Sequence, residues 1–235
     1  MNRLLQQALA SHQSGNLAEA ERLYLQLMQA APQDASAPHL LGVVRAQQGR
    51  NREALALMET ALKRNPGAPE ILSNYGNVLR SEGRFGEALA AFDRALALKP
   101  DYAAVLSRRA QVLRDLGRLD DALAAVERAL IFKPQDLEAL NTRGIVLTDL
   151  GRLNQALMDY SQALALAPDF PDTLNNRALV LKMLKLPEEA LADAERALAA
   201  HRGFAQAWNN RGIILFDLKR MGDAIASYEQ ALSLL

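Results

Sequence analysis

The chain has 235 residues, enough for one ordinary domain or an elongated array and too many for a small scaffold stapled by disulfides, and it contains no cysteine. Basic and acidic side chains balance at 27 each, so no net field gathers nucleic acid or an anionic membrane, and neither is expected as a partner. Half of the residues are apolar but only 5% are aromatic; the apolar mass is mostly Ala and Leu, a composition that favours helix. The opening MNRLLQQALASHQSGN lacks the apolar run of a secretory signal, and no stretch approaches the roughly 18 apolar residues of a spanning helix. A soluble, cytoplasmic, all-helical protein is the expectation.

A fixed period organises the chain. Pro32, Pro66, Pro100, Pro134 and Pro168 lie 34 residues apart, which defines units starting at 1, 35, 69, 103, 137, 171 and 205. In this register position twenty is always alanine (Ala20 through Ala224), and position eight is always Gly or Ala (Ala8, Gly42, Gly76, Ala110, Gly144, Ala178, Gly212). Each unit reads as two helices. The first runs from about the second to the fourteenth position, as in ILSNYGNVLRSEG, and a glycine at fifteen supplies the left-handed residue that ends it. The second starts near position eighteen, with an acid in its first turn in every unit but the fifth (Glu19, Glu53, Glu87, Asp121, Glu189, Asp223), and runs to the proline that stops it. Two helices in 34 residues fold back as an antiparallel hairpin, with close approach at the small positions eight and twenty.

Along the chain, the first two units carry His12 and His39, which are placed to approach each other, but two imidazoles alone make a poor metal site. Units three to five hold the pattern closely. From the fourth unit onward position seven is arginine (Arg109, Arg143, Arg177, Arg211), read as a packed stem whose guanidinium pairs with an acid such as Asp159 or Asp193. The sixth unit departs: Lys185 replaces the turn glycine, Ala194 stands where a bulky group is usual, and Arg202-Gly203 replaces the proline, so its joint with the seventh unit is expected to be the softest. The seventh unit is incomplete.

These residues resemble the tetratricopeptide repeat: the 34-residue spacing, the small eighth position, Ala at twenty, a bulky group at twenty-four (Tyr24, Phe92, Tyr160, Tyr228), Ala at twenty-seven and Pro at thirty-two. The resemblance covers essentially the whole chain as a single array and implies a right-handed α-solenoid of about seven helix-turn-helix units, each covered by its neighbour. It also implies that first helices line a concave groove, with positions two, five, six, nine, twelve and thirteen reaching into it. The candidate peptide-binding residues there are Asn74, Asn77, Arg108, Asn141, Thr142, Asn175, Asn176, Asn209 and Asn210, an amide row suited to an extended peptide backbone. Asp149 and Asp217 add negative charge beside them. The two-carboxylate clamp of chaperone adaptors is matched at only one or two of its five positions, whether aligned from the second unit or the third, which argues against that partner.

No GxSxG, P-loop, GxGxxG or HExxH motif occurs, and no catalytic residue, metal site or cofactor is expected. The leading functional reading is a protein-interaction scaffold holding a peptide or partner segment in the groove. A second follows from the opening segment and from LNTRG, LNNRA and WNNRG, which are similar to the repeats of bacterial glycosyltransferases of the SPINDLY and O-linked N-acetylglucosamine transferase kind. This chain would then present substrate to a catalytic domain beyond Leu235. A third is self-association as a homodimer through an uncapped last helix, with Ile225, Leu232 and Leu235 left uncovered.

Overall fold

A computed structural model describes residues 2–234, in which fourteen α-helices and no strand are found. They fall into two compact units, Met1–Leu116 and Gly117–Leu235. The first holds the hairpins α1 (Asn2–Gln13) with α2 (Leu17–Ala30), α3 (Ser36–Gln47) with α4 (Asn51–Arg64), and α5 (Pro69–Ser81) with α6 (Phe85–Leu98), followed by α7 (Ala103–Asp115). The second holds α8 (Leu119–Phe132), then the hairpins α9 (Leu137–Asp149) with α10 (Leu153–Leu166), α11 (Pro171–Met183) with α12 (Pro187–Ala200), and α13 (Ala205–Asp217) with α14 (Met221–Ser233). Within each unit every second helix also packs on the next first helix, and first helices lie side by side: α3, α5 and α7 in one, α9, α11 and α13 in the other. The first helices mostly occupy positions one to thirteen and the second ones seventeen to thirty, each about one residue earlier than the periodicity suggests.

The turn between paired helices is set by one left-handed residue. Gly15, Gly49, Gly83, Gly117 and Gly151 have φ between 71° and 78°. Where glycine is missing, Lys185 and Lys219 take φ of 64° and 61° and the turn is kept. The Leu186 N–H donates to the Leu181 carbonyl at 3.0 Å and Arg220 to Leu215 at 2.9 Å, the same bond that Arg84 makes to Leu79 at 2.9 Å. These bonds satisfy carbonyls that a helix end leaves without partners. The joint between the sixth and seventh repeats likewise keeps its form without proline: α12 ends at Ala200 as its counterparts do, and the Trp208 indole N–H donates to the Arg202 carbonyl at 2.9 Å.

The small eighth position has a specific cause. It faces chiefly the bulky side chain at position twenty-four of its own hairpin. A Cβ on Gly76 would lie 2.6 Å from Phe92 Cε1, one on Gly212 would lie 2.5 Å from Tyr228 Cε1, and one on Gly144 would strike the Tyr160 ring. At Gly42 the Ala54 carbonyl of position twenty is also close, 3.2 Å away. In the sixth repeat the pair is Ala178 and Ala194, both buried, so small faces small. Around these pairs sit the buried leucines of position eleven: Leu79, Leu113, Leu147, Leu181 and Leu215. Arg45 takes that place in the second repeat. It is buried beside Glu21, with Nη2 at 2.7 Å from the carboxylate, while its Nε and Nη1 have no hydrogen-bond partner.

Candidate interaction face

The amide row is present, and most of it is bonded between repeats. Four residues at position six reach position five of the preceding repeat. Asn74 Nδ2 lies 2.9 Å from His39 Nε2, Arg108 Nη1 donates to Ser73 Oγ at 2.7 Å, Asn176 Nδ2 donates to Asn141 Oδ1 at 3.2 Å, and Asn210 Nδ2 donates to Asn175 Oδ1 at 2.8 Å. Asn141 also accepts from Thr173 Oγ1 at 3.1 Å. Asn175, Asn210 and Thr142 are buried, whereas Asn74, Asn77, Arg108, Asn141 and Asn176 are half-buried. Of the amides in the row, Asn209 is the exposed one. The row therefore ties neighbouring first helices together, and a buried amide pair of this kind fixes their register because leaving either member unpaired is costly.

Burial pushes the His39 imidazole below the usual 6.5, with Glu70 pulling the other way, and Nε2 faces the Asn74 amide. His12 meets Gln47 Oε1 at 2.9 Å and the Tyr24 hydroxyl at 3.5 Å, so each histidine has its own partners. Among the described residues no three His, Asp or Glu side chains gather to hold a metal ion. Arg80 is bridged to Asp115 and Gln111, both at 2.7 Å. With Arg108 on Ser73, the cationic side chains of the first unit's face are engaged locally.

The arginines of position seven behave as their spacing suggests. Arg143 makes a two-pronged contact with Asp159 at 2.7 and 2.6 Å, and Arg177 does the same with Asp193 at 2.6 and 2.8 Å. The hydrogen bond to Asp159 holds the Arg143 guanidinium above its ordinary range against the opposing effect of burial. Arg109, whose own repeat offers Ala125 at the position of those aspartates, reaches Asp93 of the preceding repeat instead, at 2.7 Å. Arg211 donates to Ser227 Oγ at 2.7 Å and to Glu195 at 3.1 Å.

What the pattern of amides hides is an apolar row at position nine. Ile145, Leu179 and Ile213 stand half-buried on α9, α11 and α13, and beside them Met183 is 49% exposed and Phe216 52% exposed. Asp149, Asp172 and Asp217 are exposed on the same three helices, and Asp217 lies 3.5 Å from Lys182 Nζ. Position nine is apolar on many amphipathic helices for packing alone, so only its exposure separates it from the core. At the end of the second unit, Ile225 is 58% and Leu232 70% exposed, and a cleft of about 610 Å³ is lined by Ala205, Asn209, Tyr228, Ala231 and Leu232. Leu235 lies outside the described residues.

Tetratricopeptide-repeat profiles match residues 39–103, 79–143, 117–185, 172–202 and 205–235. No curated protein matches the chain. Among solved structures, the chain is similar to a tetratricopeptide repeat protein from Parabacteroides merdae, at 20% identity over 99% of this chain and 92% of the other, with a TM-score of 0.80. It is similar to a chain of the APC/C hetero-tetramer Cut9–Hcn1 at 17% identity over 97% of this chain and 45% of the other, TM-score 0.87. It is also similar to YrrB, described as a TPR protein with an unusual peptide-binding site, at 22% identity over 78% and 95%, TM-score 0.56. The fold is an all-α helical repeat of the solenoid class, and no described helix is long and apolar enough to cross a membrane. With repeat profiles running almost without a gap from residue 39 to residue 235 on hairpins of the matching period, the chain is a tetratricopeptide-repeat protein.

Proposed function

We propose that this chain is a protein-interaction scaffold whose working surface is the face of α9, α11 and α13. The tetratricopeptide fold is typical of such scaffolds, and the peptide-binding site of YrrB gives one precedent on a similar fold. The carrying observation is the exposure of Met183 and Phe216 beside Ile145, Leu179 and Ile213, with acids at the edges of the same face. Apolar side chains left half in water on a rigid surface gain by being covered, and the helices that present them are already ordered, so little entropy opposes docking. Affinity capture from native lysate tests the reading. The triple variant Met183→Glu, Asn209→Glu, Phe216→Glu should lose specific partners that the wild type retains. A control triple on second helices, Ile131→Glu, Met158→Glu, Ala199→Glu, should keep them, and equal capture by all three proteins refutes the proposal.

Self-association is a second reading, favoured by the exposed Ile225 and Leu232 on α14. Light scattering over a range of concentrations tests it. A monomer at every concentration counts against it, and Ile225→Lys with Leu232→Lys should abolish any dimer that forms.

A further inference from the structure

Three observations on the second unit bear on what its face would hold. The first is the engagement of the amides. An extended peptide needs donors and acceptors along its backbone, but Asn141, Asn175, Asn176 and Asn210 are bonded to one another or to Thr173. A helical ligand has no such need, because its backbone groups pair internally. The second is the spacing of the apolar row. Adjacent packed helices lie roughly 8–10 Å apart, so Ile145, Leu179 and Ile213 recur at about that interval. A helix presents the same face every seven residues, about 10.5 Å at 1.5 Å per residue, and polyproline II every three, about 9.3 Å, whereas a β-strand repeats a face every ~6.8 Å and falls out of step; the engaged amides favour the helix over polyproline II, whose backbone groups have no internal partners. The third is charge. Positions two and thirteen of α9, α11 and α13 carry Glu138, Asp149, Asp172 and Asp217, against one basic residue, Lys182, on the same face. The corresponding face of α3, α5 and α7 carries fewer acids, Glu70 and Asp115, against three basic residues, Arg80, Arg108 and Arg114.

From these we infer that the face of α9, α11 and α13 receives an amphipathic helix, its apolar stripe on Ile145, Leu179, Ile213, Met183 and Phe216 and lysine or arginine along its edges. This rests on the interaction face proposed above and names the chemistry of what that face takes. Spanning three first helices requires about 11–13 helical residues. Phe216 and Met183 supply the exposed contacts, Ile145, Leu179 and Ile213 form the floor, and the acids select against an acidic helix by repulsion.

The test is fluorescence anisotropy of a labelled synthetic peptide of about 14 residues, with leucines at helical spacing and lysines elsewhere, titrated with the full chain. Three further peptides complete it: the same composition scrambled to destroy the stripe, the same peptide with two central prolines, and the same peptide with glutamate for lysine. The amphipathic basic peptide should bind saturably and gain helical circular dichroism, and the other three should bind at least about tenfold more weakly. Met183→Asp with Phe216→Asp should weaken the first peptide by about tenfold or more, while Ile131→Asp on α8 leaves it unchanged. Should the double variant lose helical structure, Asp172→Lys with Asp217→Lys, both exposed, takes its place: it should weaken the lysine peptide and strengthen the glutamate one. Equal binding by the proline or glutamate peptide, or no saturable binding by the lysine peptide, overturns the helix inference. If partner capture remains sensitive to the Met183, Asn209 and Phe216 variant while the peptide prediction fails, the face stands and only its ligand class is wrong. Insensitivity in both experiments removes both.

Discussion

Gly76→Ala probes the rule that position eight must yield to position twenty-four. The added Cβ would sit 2.6 Å from Phe92 Cε1 and 2.9 Å from Cδ1 and Cζ. Carbon atoms pack comfortably at about 3.5–4.0 Å, so the ring has to retreat by about 1 Å. Phe92 is fully buried in a cluster with Leu72, Val78, Leu79 and Ala88 and has little room to do so. Overpacking of this kind costs about 1–3 kcal/mol, and replacing glycine by alanine inside a helix offsets about 1 kcal/mol of it. A net loss of about 1 kcal/mol is expected, read as a lower urea midpoint by far-UV circular dichroism at unchanged slope. Gly86→Ala is the control of opposite sign: nothing lies within 4 Å of its Cβ, and stability should rise by up to about 1 kcal/mol. Phe92→Ala alone should cost about 3–5 kcal/mol. The Gly76→Ala, Phe92→Ala double variant removes the ring that the methyl would strike and recreates the small pair of Ala178 and Ala194. Its cost should fall short of the sum of the singles by about 1–3 kcal/mol, the overpacking relieved. Additivity within about 0.5 kcal/mol would refute the contact as the reason for the small residue.

Arg45→Leu together with Glu21→Gln should stabilise the chain by about 1–3 kcal/mol, because it restores the leucine of the third to seventh repeats, removes two buried donors without partners and strands no carboxylate; a lower melting temperature would contradict this. Lys185→Gly and Lys219→Gly should each raise stability by up to about 1 kcal/mol. The left-handed conformation costs a side-chain-bearing residue about 1–2 kcal/mol, of which the entropy of glycine offsets about half, and unchanged urea midpoints would refute the strain. The His39 imidazole is held below 6.5 in the folded state, so near and below pH 6.5 the unfolded chain binds a proton more readily than the folded one. Its contribution to stability is complete above pH 6.5, falls as pH drops through 6.5, and levels off below the lowered folded value. His39→Gln should flatten that part of a stability profile measured between pH 5 and 8, and an unchanged slope would show that other groups produce it.

The difference between what the sequence displayed and what it concealed follows from the repeat. A period of 34 aligns like with like, so proline at thirty-two, alanine at twenty and the small eighth position announce the hairpins before any coordinate is known. The arginine partners were also within reach, because Arg143 and Asp159, or Arg177 and Asp193, lie sixteen residues apart on the two arms of one hairpin, a separation recurring in the register. The glycine-to-lysine change at 185 reads in sequence as the loss of a turn, yet the fold retains the turn at the expense of a strained φ of 64°, because the surrounding helices over-determine it. The asparagines were visible as residues but not as bonds. Asn176 joins Asn141 and Asn210 joins Asn175 across 35 residues, one more than the period, so a ruler that compares equal positions never sets the partners side by side. That single-residue offset changes the chemistry of the face: amides that look available to a ligand hold neighbouring repeats in register. On the interaction face proposed above, the exposed groups are then Met183, Phe216 and Asn209, with the position-nine row half-buried; the family resemblance places positions nine, twelve and thirteen in the groove, but the apolar period alone does not tell them from core. Surface apolarity of this kind depends on how repeats stack beyond their own hairpin, which no local periodicity encodes.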